Sequence, residues 1–199
     1  MKTYFKYGVM NSSKTASLLM VAHNYEQKGV KAYFLKPAKD TRDANIKARI
    51  GLEHKVDLLL GDSFSSELRA LLVAAFEQDA VIFIDECQML SYDLVKELVN
   101  YCMYLSTLKP KKNFNILAYG LLKDYKNNLW GGSRAWLEVA DSIHEIKNVC
   151  KYCNRKATCN ILNKKLAQKA EKDHNNVVIG DSIYESVCSY HYVKRGGTL

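Results

Sequence analysis

The segment Gly8-Val9-Met10-Asn11-Ser12-Ser13-Lys14-Thr15 stands between a short strand-like run, Thr3 to Tyr7, and a stretch of helical character from Lys14 to Lys28. A glycine, a spacer, then a lysine and a hydroxyl residue, placed where a strand gives way to a helix, is the pattern of a phosphate-binding loop. In such a loop successive backbone N–H groups and the positive helix end face phosphate oxygens. The residues from Gly8 to Ser13 would cradle a β-phosphate, Lys14 would bridge β and γ oxygens, and the Thr15 hydroxyl would ligate Mg²⁺, so ATP is the expected ligand. Ser13 occupies the place of a second glycine, where positive φ or close phosphate approach favours glycine. A plain strand-to-helix turn carrying a surface lysine is the competing reading of the same residues.

Such a loop requires an α/β fold, and the rest of the chain is patterned for one. Val30 to Leu35 reads as a second strand, which completes a βαβ opening with parallel pairing. A polar stretch from Lys36 to Lys55 follows, then a short strand near Val56 to Leu60 and a helix around Ser65 to Phe76 that Ser65 or Ser66 would cap. Ala80 to Ile84 is wholly apolar, as in a strand buried on both faces. Ser91 to Leu108 carries Leu94, Val95, Leu98, Val99, Cys102 and Leu105 on one helical stripe, and Asn115 to Tyr119 returns as a strand. The expected architecture is α/β: a mostly parallel sheet of the P-loop NTPase kind with helices on both faces over residues 1–147. A smaller module over residues 148–199 has paired cysteines and short β-like pieces at Ala157 to Leu162 and Val177 to Ile179.

The apolar runs, such as Leu58 to Leu60 and Ala80 to Ile84, are far shorter than the roughly 20 residues of a membrane span. Met1 to Gly8 lacks a secretory pattern, so a cytosolic protein without a membrane partner is expected. The formal charge of +8 comes from scattered lysines, which read as a solvated basic surface that also attracts anionic nucleotides.

Asp85 and Glu86 directly follow the apolar strand, which brings both carboxylates to the carboxyl edge of the sheet where ligands of open α/β folds bind. An aspartate there suits Mg²⁺ or its waters, and the adjacent glutamate can orient or deprotonate a nucleophile. Taken alone, the pair would also fit a charged helix start.

In the reducing cytosol, six cysteines argue for metal rather than disulfides. Cys150-Lys151-Tyr152-Cys153 and Cys188-Ser189-Tyr190-His191 form a CxxC and a CxxH, a donor set suited to tetrahedral Zn²⁺ in a closed structural site. Cys87, Cys102 and Cys159 read as packed thiols.

Asp85-Glu86-Cys87-Gln88-Met89-Leu90, taken with Met10-Asn11, resembles the type II thymidine kinases, the cytosolic family distinct from the herpesvirus type. Lys36-Pro37-Ala38-Lys39-Asp40-Thr41-Arg42, Ala48-Arg49-Ile50-Gly51, Tyr119-Gly120-Leu121, Asp124-Tyr125, Gly132-Ser133 and Val178-Ile179-Gly180 through Ser186-Val187-Cys188 continue the resemblance in the same order, to about Tyr192. The resemblance implies transfer of the γ-phosphate of ATP to the 5′-hydroxyl of thymidine, with deoxyuridine as a further acceptor. It implies Glu86 as the general base, and Asp40 and Arg42 near the metal and the phosphates. It implies a thymine pocket lined by Met10, Met89, Leu121, Tyr125, Trp130 and Tyr184. Asn154 to Val187 is similar to the family's lasso loop, whose backbone, here at Val178, Ile179 and Gly180, holds the base; the chain is one residue shorter than the family pattern near Gly180. Homo-oligomers, dimers or tetramers, are implied as well.

Two other readings remain open from the residues. One is a zinc-containing, nucleotide-dependent nucleic-acid binder, for which neither a clustered basic face nor an RNA or DNA motif is present. The other is a family member whose catalysis is weakened at Ser13.

Overall fold

The computed structural model describes residues 1–42, 45–163 and 183–199. A six-stranded sheet forms its centre, in the order β5-β2-β6-β7-β1-β8, from β1 (Lys2–Tyr7), β2 (Ala32–Pro37), β5 (Leu58–Leu60), β6 (Val81–Ile84), β7 (Asn115–Gly120) and β8 (Ser142–Glu145). Every pairing in this sheet is parallel, as the βαβ opening implies. The strands lie between two helical layers, and the alternation of side chains sorts residues between them. Val81 and Phe83 of β6, with Leu117 and Tyr119 of β7, pack against Ala16, Leu18, Leu19 and Ala22 of α1 (Lys14–Glu26). Ile82, Ile84, Ile116 and Ala118 face α2 (Ser66–Glu77), α3 (Tyr92–Leu108) and α4 (Gly131–Val139). A period of two on each strand thus builds both halves of the core.

Local chemistry starts the helices where the sequence places them. Ser65 accepts a hydrogen bond from Leu68 N at 3.2 Å, and Ser91 accepts one from Leu94 N at 3.2 Å, each satisfying a donor in the first turn. Helix α3 buries all six residues of its expected stripe.

The structure adds elements that the pattern does not announce. The polar stretch after β2 holds an antiparallel pair, β3 (Ile46–Lys47) and β4 (Glu53–His54), whose Ile46 and Ala48 are buried against α1 and β2. Helix α4 and edge strand β8 follow β7. Near the C-terminus, the expected β-like piece at Ala157 to Leu162 forms β9 (Cys159–Leu162), whose antiparallel partner β10 (Tyr184–Val187) and the following α5 (Ser189–Lys194) the pattern does not announce. The expected β-like piece at Val177 to Ile179 lies outside the described residues. Among the described residues, no helix is long and apolar enough to cross a membrane.

Candidate active site

Strand β1 delivers Gly8 to the carboxyl edge of the sheet, where Gly8 N donates to Gly120 O at 3.2 Å. A Cβ on Gly8 would lie 2.6 Å from Ile146 O, so this close approach admits only glycine. The loop then turns through two left-handed residues, Asn11 (φ 60°) and Ser13 (φ 59°), before α1 begins. The position where the motif prefers glycine therefore does have the backbone glycine adopts freely, and a serine holds it. Lys14 is buried and folds back over the loop, its Nζ donating to Val9 O at 2.8 Å.

Two strands away, β6 ends at Ile84 and Asp85 follows it directly. Strand β7 lies between β1 and β6, yet Thr15, in the first turn of α1, spans the gap: its Oγ1 donates to Asp85 Oδ2 at 3.1 Å. Burial, with a further contribution from Glu86, pushes the Asp85 carboxyl up to about 7, opposed by the Thr15 hydroxyl and by Lys14. A buried carboxylate beside a hydroxyl and a lysine is suited to a cation, whose charge would relieve that burial.

Glu86 takes a left-handed backbone (φ 49°), which ends the strand and starts the short 3₁₀ turn Cys87–Met89. Its carboxylate is held from two sides. Arg42 Nη2 lies 2.7 Å from Oε1, and Gln88 Nε2 donates to Oε2 at 2.6 Å. Arg42 also pairs with Asp40 through Nε at 2.6 Å, and Lys36 Nζ reaches Asp40 at 3.1 Å. Burial works against the Asp40 charge, but Arg42 first and Lys36 next hold its carboxyl below the usual aspartate range. Burial likewise opposes the Arg42 charge, and Glu86 and Asp40 more than compensate. A cavity of about 450 Å³ opens over this network, lined by the loop from Met10 to Ala16, by Lys36, Asp40, Arg42, Asp85 and Glu86, and by the β3–β4 turn. Arg49 of that turn hydrogen-bonds the Asn11 side chain.

The paired cysteines converge as well. Cys150 and Cys153 lie on the turn after Asn148, Cys188 caps α5 and His191 lies on its first turns. Nδ1 of His191 is 3.5, 3.6 and 3.4 Å from the sulfurs of Cys150, Cys153 and Cys188, and the Cys153 and Cys188 sulfurs are 3.8 Å apart. A tetrahedron with bonds of about 2.3 Å to sulfur and about 2.0 Å to nitrogen has edges of about 3.8 and 3.5 Å, so the donor set fits a zinc ion without rearrangement. Burial opposes ionisation of Cys150, but the N–H groups of Tyr152 and Cys188 and the neighbouring thiols bring it down to about 6, which favours the thiolate that binds metal. Cys87, Cys102 and Cys159 are buried and outside this group.

A family model described as thymidine kinase matches residues 1–192. The chain belongs to the thymidine kinase family. The thymidine kinase of Enterobacteria phage T4 is 35% identical over 192 residues, 94% of this chain and 93% of that protein. The thymidine kinase of Streptococcus pyogenes serotype M28 (strain MGAS6180) is 35% identical over 191 residues, 95% of each chain. Among solved structures, Pif1 helicase from Candida albicans aligns with 84% of this chain and 38% of its own, at a TM-score of 0.47 and 14% identity, a likeness too slight to argue from.

In this kinase the described residues expected around the thymine come from four segments. Met89 lies half-buried on the 3₁₀ turn, and Leu121, at the end of β7, donates its N–H to Gln88 Oε1 at 3.0 Å. Trp130 caps α4 with its indole Nε1 buried and without a hydrogen-bond partner among the described residues. The rings of Tyr125 and Tyr184 are 6.2 Å apart, and Tyr192 Oη donates to Tyr125 O at 2.9 Å. Met10 lies apart from these on the phosphate loop, lining its cavity. Val178, Ile179 and Gly180 lie outside the described residues. The pattern along the chain missed Lys36 and Gln88. For Lys36 a signal existed, a lysine ending an otherwise apolar buried strand, and for the β3–β4 pair another, apolar residues at Ile46, Ala48, Ile50 and Leu52.

Proposed function

We propose that the kinase transfers the γ-phosphate of ATP to the 5′-hydroxyl of thymidine, giving dTMP and ADP. The observation that carries this reading is the meeting of Thr15 and Asp85 at 3.1 Å, because it joins the phosphate loop to the strand end that bears Glu86. The loop N–H groups receive the β-phosphate, and Lys14 Nζ leaves Val9 O to bridge the β and γ oxygens. Thr15 and Asp85, with Asp40 close by, would hold Mg²⁺, which offsets the charge of the triphosphate.

Glu86 is the base. As O5′ forms its bond to the γ-phosphorus, the bond from that phosphorus to the bridging oxygen breaks, its electron pair leaves with ADP, and the hydroxyl proton passes to the Glu86 carboxylate. Arg42 contacts Glu86 at 2.7 Å, so the incoming phosphates would draw the guanidinium across to the transferring group and free the base. Orientation and charge do most of the work in phosphoryl transfer, a role suited to the linked side chains of Lys36, Asp40, Arg42 and Glu86 at the carboxyl edge of the sheet.

Met10, Met89, Leu121, Tyr125, Trp130 and Tyr184 would line the thymine site. A site shaped for one methyl group gains only about 1 kcal/mol from it, so deoxyuridine is expected as a weaker acceptor. Residues 148–199 act as a unit closed by Zn²⁺ that presents the base-binding loop, and the enzyme works in the cytoplasm as a homo-oligomer, a dimer or tetramer.

Radiolabelled phosphate transfer from ATP across a panel of nucleosides tests this. Thymidine should be phosphorylated fastest and deoxyuridine more slowly. Absence of transfer to every nucleoside, or preference for a purine nucleoside, would overturn the reading.

A further inference from the structure

The module that carries the Cys/His cluster grips the phosphate loop by the backbone of a single residue, Met10. Met10 N donates to Asn160 Oδ1 at 2.8 Å, and Met10 O accepts from Asn148 Nδ2 at 3.3 Å and from the Ser186 hydroxyl. Asn160 and Ser186 are direct cross-strand partners in the β9–β10 pair, so their side chains leave the same face of the ladder side by side. Both are buried. One takes the N–H of Met10 and the other its carbonyl, so the two peptide planes that flank Met10 are both held.

The gripped residue lies just before the part of the loop that most needs support. Asn11 and Ser13 follow it in left-handed conformations, each costing an L-residue roughly 1–2 kcal/mol. Left to itself, this stretch would favour other conformations and would lose the convergence of its N–H groups. Holding Met10 limits those alternatives before any ligand arrives, which is preorganisation supplied from outside the loop.

We propose that Asn160 and Ser186 are positioning residues for the phosphate loop, and that through them the C-terminal module sets the affinity for the phosphates of ATP. This rests on the reading of the loop as the ATP site. Neither residue would touch the phosphates; both act through the backbone on either side of Met10.

The test measures ATP affinity by calorimetry, together with KM for ATP, KM for thymidine and kcat, in the wild-type protein and in Asn160→Ala, Ser186→Ala and the double variant, with Lys14→Ala as the control for loop binding. Each single variant should weaken ATP binding by about three- to tenfold, the scale of one lost hydrogen bond, with the double variant weaker still. KM for ATP should rise at least as much as KM for thymidine, because the Met10 backbone shapes the loop directly while the thymine site feels the change only through the Met10 side chain. Unchanged ATP affinity in the variants, with normal binding by the wild-type protein, would overturn this inference alone, and so would a rise in KM for thymidine with ATP affinity kept. Failure of the wild-type protein to bind ATP, or equal binding by Lys14→Ala, would overturn the ATP-site reading with it. Should Asn160→Ala fail to fold, Ser186→Ala, which removes one hydroxyl, carries the same test.

Discussion

Gln88 uses both ends of its buried side-chain amide, donating from Nε2 to Glu86 at 2.6 Å while Oε1 accepts from Leu121 N at 3.0 Å. The backbone of β7 thus sets the rotation of the amide, and the amide sets the rotation of the carboxylate. A Cβ on Gly120 would lie 2.5 Å from Gln88 Oε1, so the neighbouring glycine leaves just enough room for this arrangement. Gln88→Leu should lower kcat by roughly ten- to a hundredfold while KM for ATP changes by less than about twofold, since the proposed base, Glu86, would be misplaced and the loop from Gly8 to Thr15 left untouched. Gly120→Ala should act in the same direction. Steady-state kinetics decide this, and an unchanged kcat in both variants would remove Gln88 from the site.

Glu86→Gln should leave ATP binding nearly intact and lower turnover by about two to four orders of magnitude, the usual range for losing a general base. If Gln88 works only through Glu86, adding Gln88→Leu to Glu86→Gln should cost almost nothing further. Near-normal turnover in Glu86→Gln would take Glu86 out of its assigned role.

Ser13 holds φ 59° without a side-chain capping bond, which leaves strain that glycine would not have. Ser13→Gly should therefore tighten ATP binding or speed turnover by up to about fivefold, the equivalent of roughly 1 kcal/mol. Identical kinetics in the two proteins would show that the loop accommodates serine without cost.

Burial, followed by the neighbouring Glu86, raises the Asp85 carboxyl to about 7 in the folded, ligand-free protein. A folded-state value above the unfolded one means the folded state binds the extra proton, so stability falls as pH rises from about 4 to about 7 and stays at the lower level above that. Asp85→Asn should then raise the melting temperature of the ligand-free protein at pH 8 by an amount equivalent to about 1–4 kcal/mol, at about 1.4 kcal/mol per pKa unit, with little gain at pH 4. The same variant should lose kinase activity. Thermal unfolding at the two pH values checks the first effect, and equal gains at both would contradict it.

The sulfur and nitrogen spacings around His191 call for about one Zn²⁺ per chain in the purified protein. Cys188→Ser should lose the metal and lower the melting temperature, because the binding energy of such a site is also folding energy. Metal analysis with thermal unfolding reads both, and a fully folded protein without metal would contradict the assignment.

Segments whose structure depends on close neighbours were legible along the chain. The buried strand Val81–Ile84 is apolar throughout, Ser65 and Ser91 are capping residues in capping positions, and the stripe on α3 repeats at helical spacing. Others gave little signal. Helix α4 opens on two glycines and buries Gly132, Ser133, Ala135 and Trp136, three small residues and one tryptophan rather than a long apolar stripe. Strand β8 is an edge strand of Ser-Ile-His-Glu, mostly uncovered, so no apolar run marks it.

The chemistry of the chain marked a candidate phosphate loop, a pair of carboxylates at a strand end and two pairs of metal donors, because each is written within a few consecutive residues and obeys local backbone geometry. Only tertiary structure decided which of them meet. Met10 lies 150 residues from Asn160 and 176 from Ser186, and Thr15 lies 70 from Asp85. A hydrogen bond needs its two atoms within about 3 Å. That distance follows from the strand order, which inserts β7 between β1 and β6, and from the register of β9 on β10. Residue pattern specifies neither, since the same alternation of apolar and polar side chains suits many orders and registers.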